Sequence, residues 1–265
     1  MVHVPGKDRE LEAYLTVPED RKGRRPAVVV IHEIFGPDAH IQDVTRRFAA
    51  EGYLALAPNL FTGEIQALLT PQAVATGFGF LRSLPPEVQR DPSAIQARIR
   101  ERPEEERKLL EALLRIQDPG MHRKFAEDLH AVAEHLRQRD DVEPQKVGSV
   151  GFCFGGAMSA LMAGADPKLA AAVIFYGNSP PDDVLARVRC PLLGLYGGED
   201  HRITDTVPAL AASAQQKGVR FASHVYPGAQ HAFFNDTRPM FQAEAARDAW
   251  TRVLAFFGEN LGPRR

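Results

Sequence analysis

Cysteine, long apolar runs and an excess of either charge are all scarce in this sequence. Its two cysteines, Cys153 and Cys190, are too few for a disulfide framework and lack the spacing of a zinc site. No window approaches the roughly 18 apolar residues of a membrane-spanning helix, and residues 1–15 lack the apolar core of a signal peptide. We therefore expect a cytoplasmic protein in a reducing compartment.

The charge balance excludes the simplest macromolecular partners. The formal net charge is −2 at pH 7, so no electrostatic argument points to nucleic acid or to an anionic membrane. The chain has 265 residues, of which 44% are hydrophobic and 25% charged, and it is long enough to bury a large core. We expect a single domain over residues 1–265, a monomer or small homo-oligomer that acts on a small molecule.

Apolar strand patterns alternate with amphipathic helix patterns along most of the chain. Apolar segments predict strands over 26–33, 53–61 (including a loop), 146–151, 171–176, 191–197 and 220–227. Apolar residues at helical spacing predict helices over 38–51, 122–139, 155–164, 206–217 and 240–258. This alternation predicts an α/β fold with a mostly parallel central sheet and helices on both faces.

Residues 62–120 interrupt this alternation. They contain several prolines and the charged stretch ERPEEERKLLEALLRIQDPG, and they have no convincing buried strand. Two interpretations remain open. The segment either joins two strands through surface helices, or forms a helical cap over the carboxyl ends of the strands, where ligands of open α/β sheets bind.

The stretch GFCFGG, residues 151–156, lies between a predicted strand and a predicted helix. It has the form of a nucleophile elbow, in which glycines two positions from the nucleophile make room for a strained backbone. The N-terminus of the following helix favours a thiolate and a developing oxyanion. The pattern indicates Cys153 as a nucleophile, and a small buried cysteine beside a glycine turn is the structural alternative.

Two further residues follow strands in the chain order of an elbow-type triad. Asp200 follows the predicted strand 191–197, and His231 follows the predicted strand 220–227. A histidine can take the thiol proton, and an aspartate behind it holds the imidazole tautomer and stabilises its cation. Taken singly, His231 fits a solvated loop histidine and Asp200 a helix N-cap, but their coincidence with Cys153 favours catalysis.

Other side chains near these positions are alternatives of lower rank. Glu199 and Asp205 are acids close to Asp200, which has the usual offset after the strand. His224 lies inside a strand pattern, so we expect it to be structural. Cys190 precedes a strand, and we expect it to be buried and inert.

The stretch IHEIFG, residues 31–36, ends the first buried strand pattern. An elbow-type site takes one oxyanion donor from the N–H after the nucleophile and another from the loop after an early strand. These positions are Phe154 and Ile34. Glu33 is a carboxylate at the end of a buried strand and needs a partner there, either as a structural ion pair or as a functional group.

Four motifs together resemble the dienelactone hydrolase (carboxymethylenebutenolidase) family of the α/β-hydrolase fold. They are HEIFG (32–36), GFCFGG (151–156), GGEDHR (197–202) and GAQHAFFNDTRP (228–239). The resemblance extends from about residue 10 to the C-terminal helix near residue 258.

The resemblance implies a role for each matching residue. Cys153, Asp200 and His231 correspond to the family's Cys-Asp-His triad, and the backbone donors correspond to Ile34 and Phe154. Glu33 corresponds to a glutamate thought to take the thiol proton when substrate binds.

The resemblance is weaker at the substrate carboxylate. Family members that cleave dienelactone hold it with arginines, one of them in a sequence like H-S-F-x-R at the catalytic histidine. Here His231 is followed by Ala-Phe-Phe-Asn, and the next arginine is Arg238. The other arginine falls in the divergent region 62–125, where its match to Arg115 or Arg123 stays open. The candidate substrate-binding residues are Phe35, Phe233, Arg238 and Arg123.

Three functions remain open at this point. The first is hydrolysis of an activated ester or lactone through a thioester on Cys153, with no metal or organic cofactor. A thiolate suits a good leaving group such as the enolate of an unsaturated lactone. The second is a general carboxylesterase or thioesterase with another substrate. The third is a non-catalytic thiol redox or ligand-binding protein, which the Asp200–His231 pair disfavours.

Overall fold

One eight-stranded sheet organises the protein, whose computed structural model describes residues 1–19, 23–61 and 64–262. The strands are β1 (Val2–Pro5), β2 (Glu10–Thr16), β3 (Arg25–Ile31), β4 (Leu54–Pro58), β5 (Val142–Phe152), β6 (Ala171–Phe175), β7 (Leu192–Gly197) and β8 (Phe221–Tyr226). The helices are α1 (Ala39–Ala50), α2 (Glu64–Leu68), α3 (Pro71–Ser83), α4 (Pro86–Gln89), α5 (Pro92–Arg100), α6 (Glu104–Gln117), α7 (Pro119–Arg137), α8 (Phe154–Ala165), α9 (Asp182–Leu185), α10 (His201–Thr204), α11 (Val207–Gln216) and α12 (Ala243–Leu261).

The sheet is parallel over most of its width, which confirms the predicted α/β architecture. Its strand order is β1-β2-β4-β3-β5-β6-β7-β8, with parallel pairing from β4 through β8. Strands β3, β4, β6 and β7 are buried along their whole length, as expected when helices cover both faces. The carboxyl ends of β3, β5, β6, β7 and β8 therefore meet at one edge of the sheet.

The N-terminal strands lie outside the predicted alternation, which begins at residue 26. Strand β2 pairs antiparallel with β1 on one side and β4 on the other. Its buried Leu11 and Ala13 alternate with the exposed Glu10 and Glu12. This alternation with period two is the pattern of a strand with one buried face, and it is too short and too charged to resemble the central strands.

The flanking helices start and pack as their sequences predict. The side chain of Asp38 caps α1 by accepting a hydrogen bond from the Ile41 N–H at 3.1 Å. The helix buries Ile41, Val44 and Phe48, and Gly52 follows its end with a φ of 90°. Such a left-handed conformation suits glycine at a helix end.

The chain divides into two compact units. One comprises Met1–Leu60 and Lys124–Arg265 and contains the sheet, and the other comprises Phe61–Arg123. In the second unit α6 buries Leu110 and Leu113, and Leu113 lies against Gly77 of α3. The absence of a strand from 62–120 is confirmed for the described residues, 64–120, and a cap over the strand ends stays a prediction.

Among the described residues, no helix is both long enough and apolar enough to cross a membrane.

Candidate active site

Cys153 lies at the junction of β5 and α8, as the elbow pattern predicts. Its backbone has φ 55° and ψ −113°, a conformation that residues other than glycine rarely adopt. The Cys153 N–H donates to the Phe175 carbonyl at 3.0 Å, and the Cys153 carbonyl accepts from the Gly156 N–H at 3.0 Å. The strained residue is thereby held between β6 and the first turn of α8.

The glycines after Cys153 are required by close backbone contacts. A Cβ at Gly155 would overlap the carbonyl oxygen of Ile31 and lie 2.5 Å from that of His32. A Cβ at Gly156 would lie 2.5 Å from the Phe175 carbonyl oxygen. Helix α8 therefore begins in direct contact with the ends of β3 and β6, which only glycine permits.

His231 and Asp200 form a short hydrogen bond. Asp200 follows β7 and His231 follows β8, and His231 Nδ1 lies 2.5 Å from Asp200 Oδ2. Asp200 is also the N-cap residue of α10, but its side chain makes no capping hydrogen bond. Its carboxylate is committed to the imidazole, so the N-cap alternative does not account for it.

The surroundings of His231 favour its cation. Burial lowers the pKa of His231, but the negative charge of Cys153 and hydrogen bonds to Asp200 and Cys153 outweigh it and raise the pKa to about 10. A histidine that a carboxylate holds in this way can accept or donate a proton at a neighbouring group. The three residues named by the elbow pattern therefore meet at the carboxyl edge of the sheet.

The lower-ranked alternatives lie elsewhere. Glu199 is exposed, and Asp205 faces His201 at 3.4 Å. His224 lies in β8 and packs its ring against Tyr226, as expected for a structural residue. Cys190 is buried, and burial raises the pKa of its thiol to about 12, which suits an inert thiol.

Glu33 has two hydrogen-bonding partners that the sequence analysis does not identify. Its Oε2 accepts from the Asn235 side-chain amide at 2.7 Å, and its Oε1 accepts from the Tyr176 hydroxyl at 3.4 Å. Tyr176 directly follows β6, just as Asp200 follows β7 and His231 follows β8. Its position after a strand end could therefore have identified it from the sequence. Asn235 occupies the fourth position after His231, but its type alone gives no sign of this contact.

Burial governs the titration of this group of side chains. Burial raises the pKa of Glu33, while the charges of His40 and His231 and the bond from Asn235 lower it. Burial also raises the pKa of Tyr176 well above its usual range, and negative charge on Glu33 and Cys153 adds to that effect. The Tyr176 hydroxyl therefore stays protonated and can donate to the carboxylate.

The remaining predicted site residues have different surroundings. Ile34 lies in the buried turn after β3, and Phe154 is the first residue of α8. The Arg238 guanidinium lies 4.2 Å from the centre of the Phe35 ring, and both side chains are half-buried. Phe233 is fully buried.

Two of the candidate substrate-binding residues, Phe233 and Arg123, differ in burial. Phe233 packs against Phe175, Tyr176 and Tyr226 in the aromatic core. Arg123 is exposed and belongs to the unit Phe61–Arg123.

One group of potential metal ligands occurs among the described residues. Ligand atoms of His130, Glu134 and Asp166 lie within 4.8 Å of one another. Arg137 donates to Glu134 at 2.8 Å and to Asp166 at 2.7 Å, so a guanidinium already bridges these carboxylates. Cys153 directly precedes α8 and Asp166 directly follows it, so the two are about 20 Å apart along the helix axis. The cluster is an ion-pair network remote from the site.

The chain matches a family model and curated relatives over nearly its whole length. The model of the dienelactone hydrolase family matches residues 11–261. A protein of Saccharolobus solfataricus named "Putative carboxymethylenebutenolidase" is 35% identical over 251 residues, which is 93% of each chain. A protein of the same name from Escherichia coli K12 is 30% identical over 272 residues, covering 98% of this chain and 87% of that one.

Solved structures agree with this assignment. A crystal structure named "Putative Dienelactone Hydrolase", from Klebsiella pneumoniae, has a TM-score of 0.70 at 29% identity and covers 97% of both chains. A dienelactone hydrolase-like promiscuous phosphotriesterase from metagenomic libraries has a TM-score of 0.74 at 22% identity, covering 98% of this chain and 97% of that one, and shares the fold. The predicted α/β-hydrolase fold and family are thereby confirmed: this chain is a carboxylic ester hydrolase and belongs to the dienelactone hydrolase family.

Proposed function

We propose that this hydrolase cleaves activated esters or lactones through a thioester formed on Cys153. The observation that carries the proposal is the hydrogen-bonded His231–Asp200 pair next to a cysteine with a φ of 55° at the start of α8. Neither a structural cysteine nor a binding module needs a strained backbone beside a general base.

In the proposed first step, the Cys153 thiolate attacks the carbonyl carbon of the substrate. The developing oxyanion accepts hydrogen bonds from the backbone N–H groups of Ile34 and Phe154, each worth about 3–4 kcal/mol of transition-state stabilisation. The His231 imidazolium then gives its proton to the leaving oxygen. Asp200 keeps the imidazole oriented and stabilises its cation.

In the second step, His231 takes a proton from water, which cleaves the thioester and releases the acid. The tetrahedral intermediate can expel either the Cys153 thiolate or the leaving group of the substrate. This competition limits which substrates are cleaved. A thiolate is a better leaving group than an ordinary alkoxide and would be expelled first from such an intermediate. An enolate or phenolate leaves readily, so activated lactones and aryl esters are the preferred substrate class.

Glu33 is proposed as the group that takes the thiol proton. Its carboxylate is buried, burial raises its pKa, and Asn235 and Tyr176 hold its two oxygens. A carboxylate whose pKa is raised in this way is a stronger base than one in water. Its proton affinity is thus closer to that of a thiol than the proton affinity of a solvated carboxylate is.

Arg238 is proposed to bind a negatively charged group of the substrate. Its guanidinium lies against Phe35, which directly follows the proposed oxyanion donor Ile34. Asn235, the fourth residue after His231, is already bonded to Glu33. Arg238 is therefore the first cationic side chain after His231 in the sequence. A positive charge there favours an anionic lactone over a neutral ester as the substrate.

A reducing, cytoplasmic location is part of the same proposal. Both cysteines are free thiols, and a nucleophilic thiolate is inactivated by oxidation to a sulfenic or higher acid.

The test compares a dienelactone with a neutral aryl acetate, using wild type, Cys153→Ala and Cys190→Ala. We expect wild type and Cys190→Ala to cleave both substrates and Cys153→Ala to cleave neither. Arg238→Met should lose activity towards the anionic lactone while keeping it towards the acetate. Full activity of Cys153→Ala would overturn the mechanism. No esterase activity in wild type, with a reactive thiol, would favour a redox or binding protein instead.

A further inference from the structure

His32 is a buried residue next to the site, and the proposed mechanism gives this residue no role. It directly follows β3 and is fully buried. Its Nδ1 lies 2.6 Å from the Glu33 carbonyl oxygen, and its Nε2 lies 3.0 Å from the Leu60 backbone nitrogen. Each ring nitrogen thus has a backbone partner.

The two partners determine the tautomer of His32. The Leu60 N–H can only donate, so Nε2 accepts and Nδ1 carries the proton that is donated to the Glu33 carbonyl. Burial lowers the pKa of His32 to about 4, and the ring is therefore neutral at physiological pH. The imidazole acts as a fixed donor rather than as a titrating group.

The carbonyl that His32 binds belongs to the same peptide unit as the Ile34 N–H. The described chain contains no cis peptide bond, and a planar trans peptide points its C=O and N–H in opposite directions. A donor that holds the carbonyl end therefore sets the direction of the N–H. The Gly36 N–H also donates to this carbonyl, at the longer distance of 3.3 Å, and closes the turn.

The same imidazole lies against the residue of the second proposed oxyanion donor. The rings of His32 and Phe154 are nearly parallel, with an interplanar angle of 24° and centroids 6.1 Å apart. Phe125 of α7 packs edge-on against the Phe154 ring, with centroids 5.6 Å apart. His32 is thus in contact with the residues or peptides of both donors, Ile34 and Phe154.

Leu60, whose N–H donates to His32 Nε2, is itself held in place by a hydrogen bond. Its carbonyl accepts from Arg9 Nη2 at 3.0 Å. Arg9 binds Asp128 of α7 with distances of 2.9 and 2.6 Å, and Asp128 is nine-tenths or more buried. An arginine paired with a buried carboxylate therefore holds the loop after β4 that presents the Leu60 N–H to His32, so the imidazole cannot turn without breaking this contact.

We infer that His32 is a positioning residue of the oxyanion hole, holding the Glu33–Ile34 peptide so that the Ile34 N–H faces the carbonyl attacked by Cys153. This inference rests on the proposed oxyanion hole. A donor that acts on developing negative charge stabilises the transition state more than bound substrate. Loss of its alignment therefore lowers kcat and leaves KM nearly unchanged.

Two near-isosteric variants separate the two hydrogen bonds of His32. Asparagine places an amide nitrogen at the position of Nδ1, so His32→Asn keeps the donor to Glu33 and loses the acceptor for Leu60. Glutamine places its amide oxygen at the position of Nε2, so His32→Gln keeps the acceptor and loses the donor. Both lose the ring contact with Phe154, which makes each the control for the other.

The experiment measures kcat and KM for an aryl acetate, together with the rate at which iodoacetamide alkylates Cys153. We expect kcat of His32→Gln to fall about 100-fold, the typical cost of one oxyanion donor, with KM within about threefold of wild type. The kcat of His32→Asn should exceed that of His32→Gln by at least about 10-fold. Alkylation by iodoacetamide forms no oxyanion, so its rate should be unchanged in both variants.

Several outcomes would overturn the inference. Equal loss of kcat in the two variants would mean that the bond to Glu33 has no special role, and a change confined to KM would place the effect in substrate binding. If His32→Gln does not fold, a kcat of the folded His32→Asn more than about 100-fold below wild type would also refute it. Failure of the proposed function itself is distinguished by Cys153→Ala, which would then keep its activity.

Discussion

Replacing Asn235 with alanine tests how the buried carboxylate of Glu33 is stabilised. Asn235 and Glu33 are both buried, and the amide donates to Glu33 Oε2 at 2.7 Å. A buried hydrogen bond to a charged group contributes about 1.5–3 kcal/mol, and its loss leaves the desolvated carboxylate with the 3.4 Å bond from Tyr176. We expect Asn235→Ala to lower the free energy of unfolding by about 2–4 kcal/mol.

Part of that loss belongs to the turn that Asn235 also supports. Its Oδ1 accepts from the Thr237 N–H at 3.0 Å and from the Thr237 hydroxyl at 2.7 Å. Thr237→Val removes the hydroxyl bond without touching Glu33 and should cost about 1 kcal/mol or less. In a Glu33→Gln background, Asn235→Ala should cost about 1 kcal/mol less than in wild type, because the lost bond is then between neutral amides.

The pH dependence gives the sharper test. Burial raises the pKa of Glu33 above its unfolded value, so its ionisation reduces stability as pH rises through the folded pKa. The Asn235 bond opposes this shift, and its removal raises the pKa further. The cost of Asn235→Ala should therefore be larger at pH 8 than at pH 5.

Urea unfolding, followed by the fluorescence of the single tryptophan Trp250, measures the free energy of unfolding at pH 5 and at pH 8. A cost that is the same at pH 5 and pH 8, and undiminished in the Glu33→Gln background, would refute the reasoning. It would mean that Asn235 stabilises the turn alone.

The remaining predictions concern the triad and the elbow. Asp200→Asn should lower kcat about 10³–10⁴-fold and shift the alkaline limb of the pH–rate profile to lower pH, because the hydrogen bond to Asp200 helps to raise the pKa of His231 to about 10. An unmoved limb would contradict this role. Gly155→Ala should prevent folding or cost more than about 4 kcal/mol in thermal unfolding, since its Cβ would lie 2.5 Å from the His32 carbonyl oxygen. Gly79→Ala in α3 is the control, because within the described residues a Cβ there would meet no atom within 4 Å beyond its chain neighbours and the adjoining backbone of α3. Equal stability of the two variants would show that the elbow tolerates a side chain.

Features with local causes were predictable from the sequence. The glycines at 155 and 156 follow from contacts that α8 must make wherever a strained nucleophile begins a helix. The buried runs of the parallel strands mark their own ends, and Asp200 and His231 directly follow two of these. The early strand β2 carried a weaker signal, because only Leu11 and Ala13 face the core in an otherwise charged segment.

The sequence by itself determined the fold class, the position of Cys153 and its two partners in chain order, because each follows from steric requirements within a few residues. Only the tertiary structure decided what surrounds them. Asn235 contacts Glu33 across 202 residues of sequence, and Leu60 meets His32 across 28. Neither residue type nor spacing specifies such contacts, since they depend on how loops from different strands come together at one edge of the sheet.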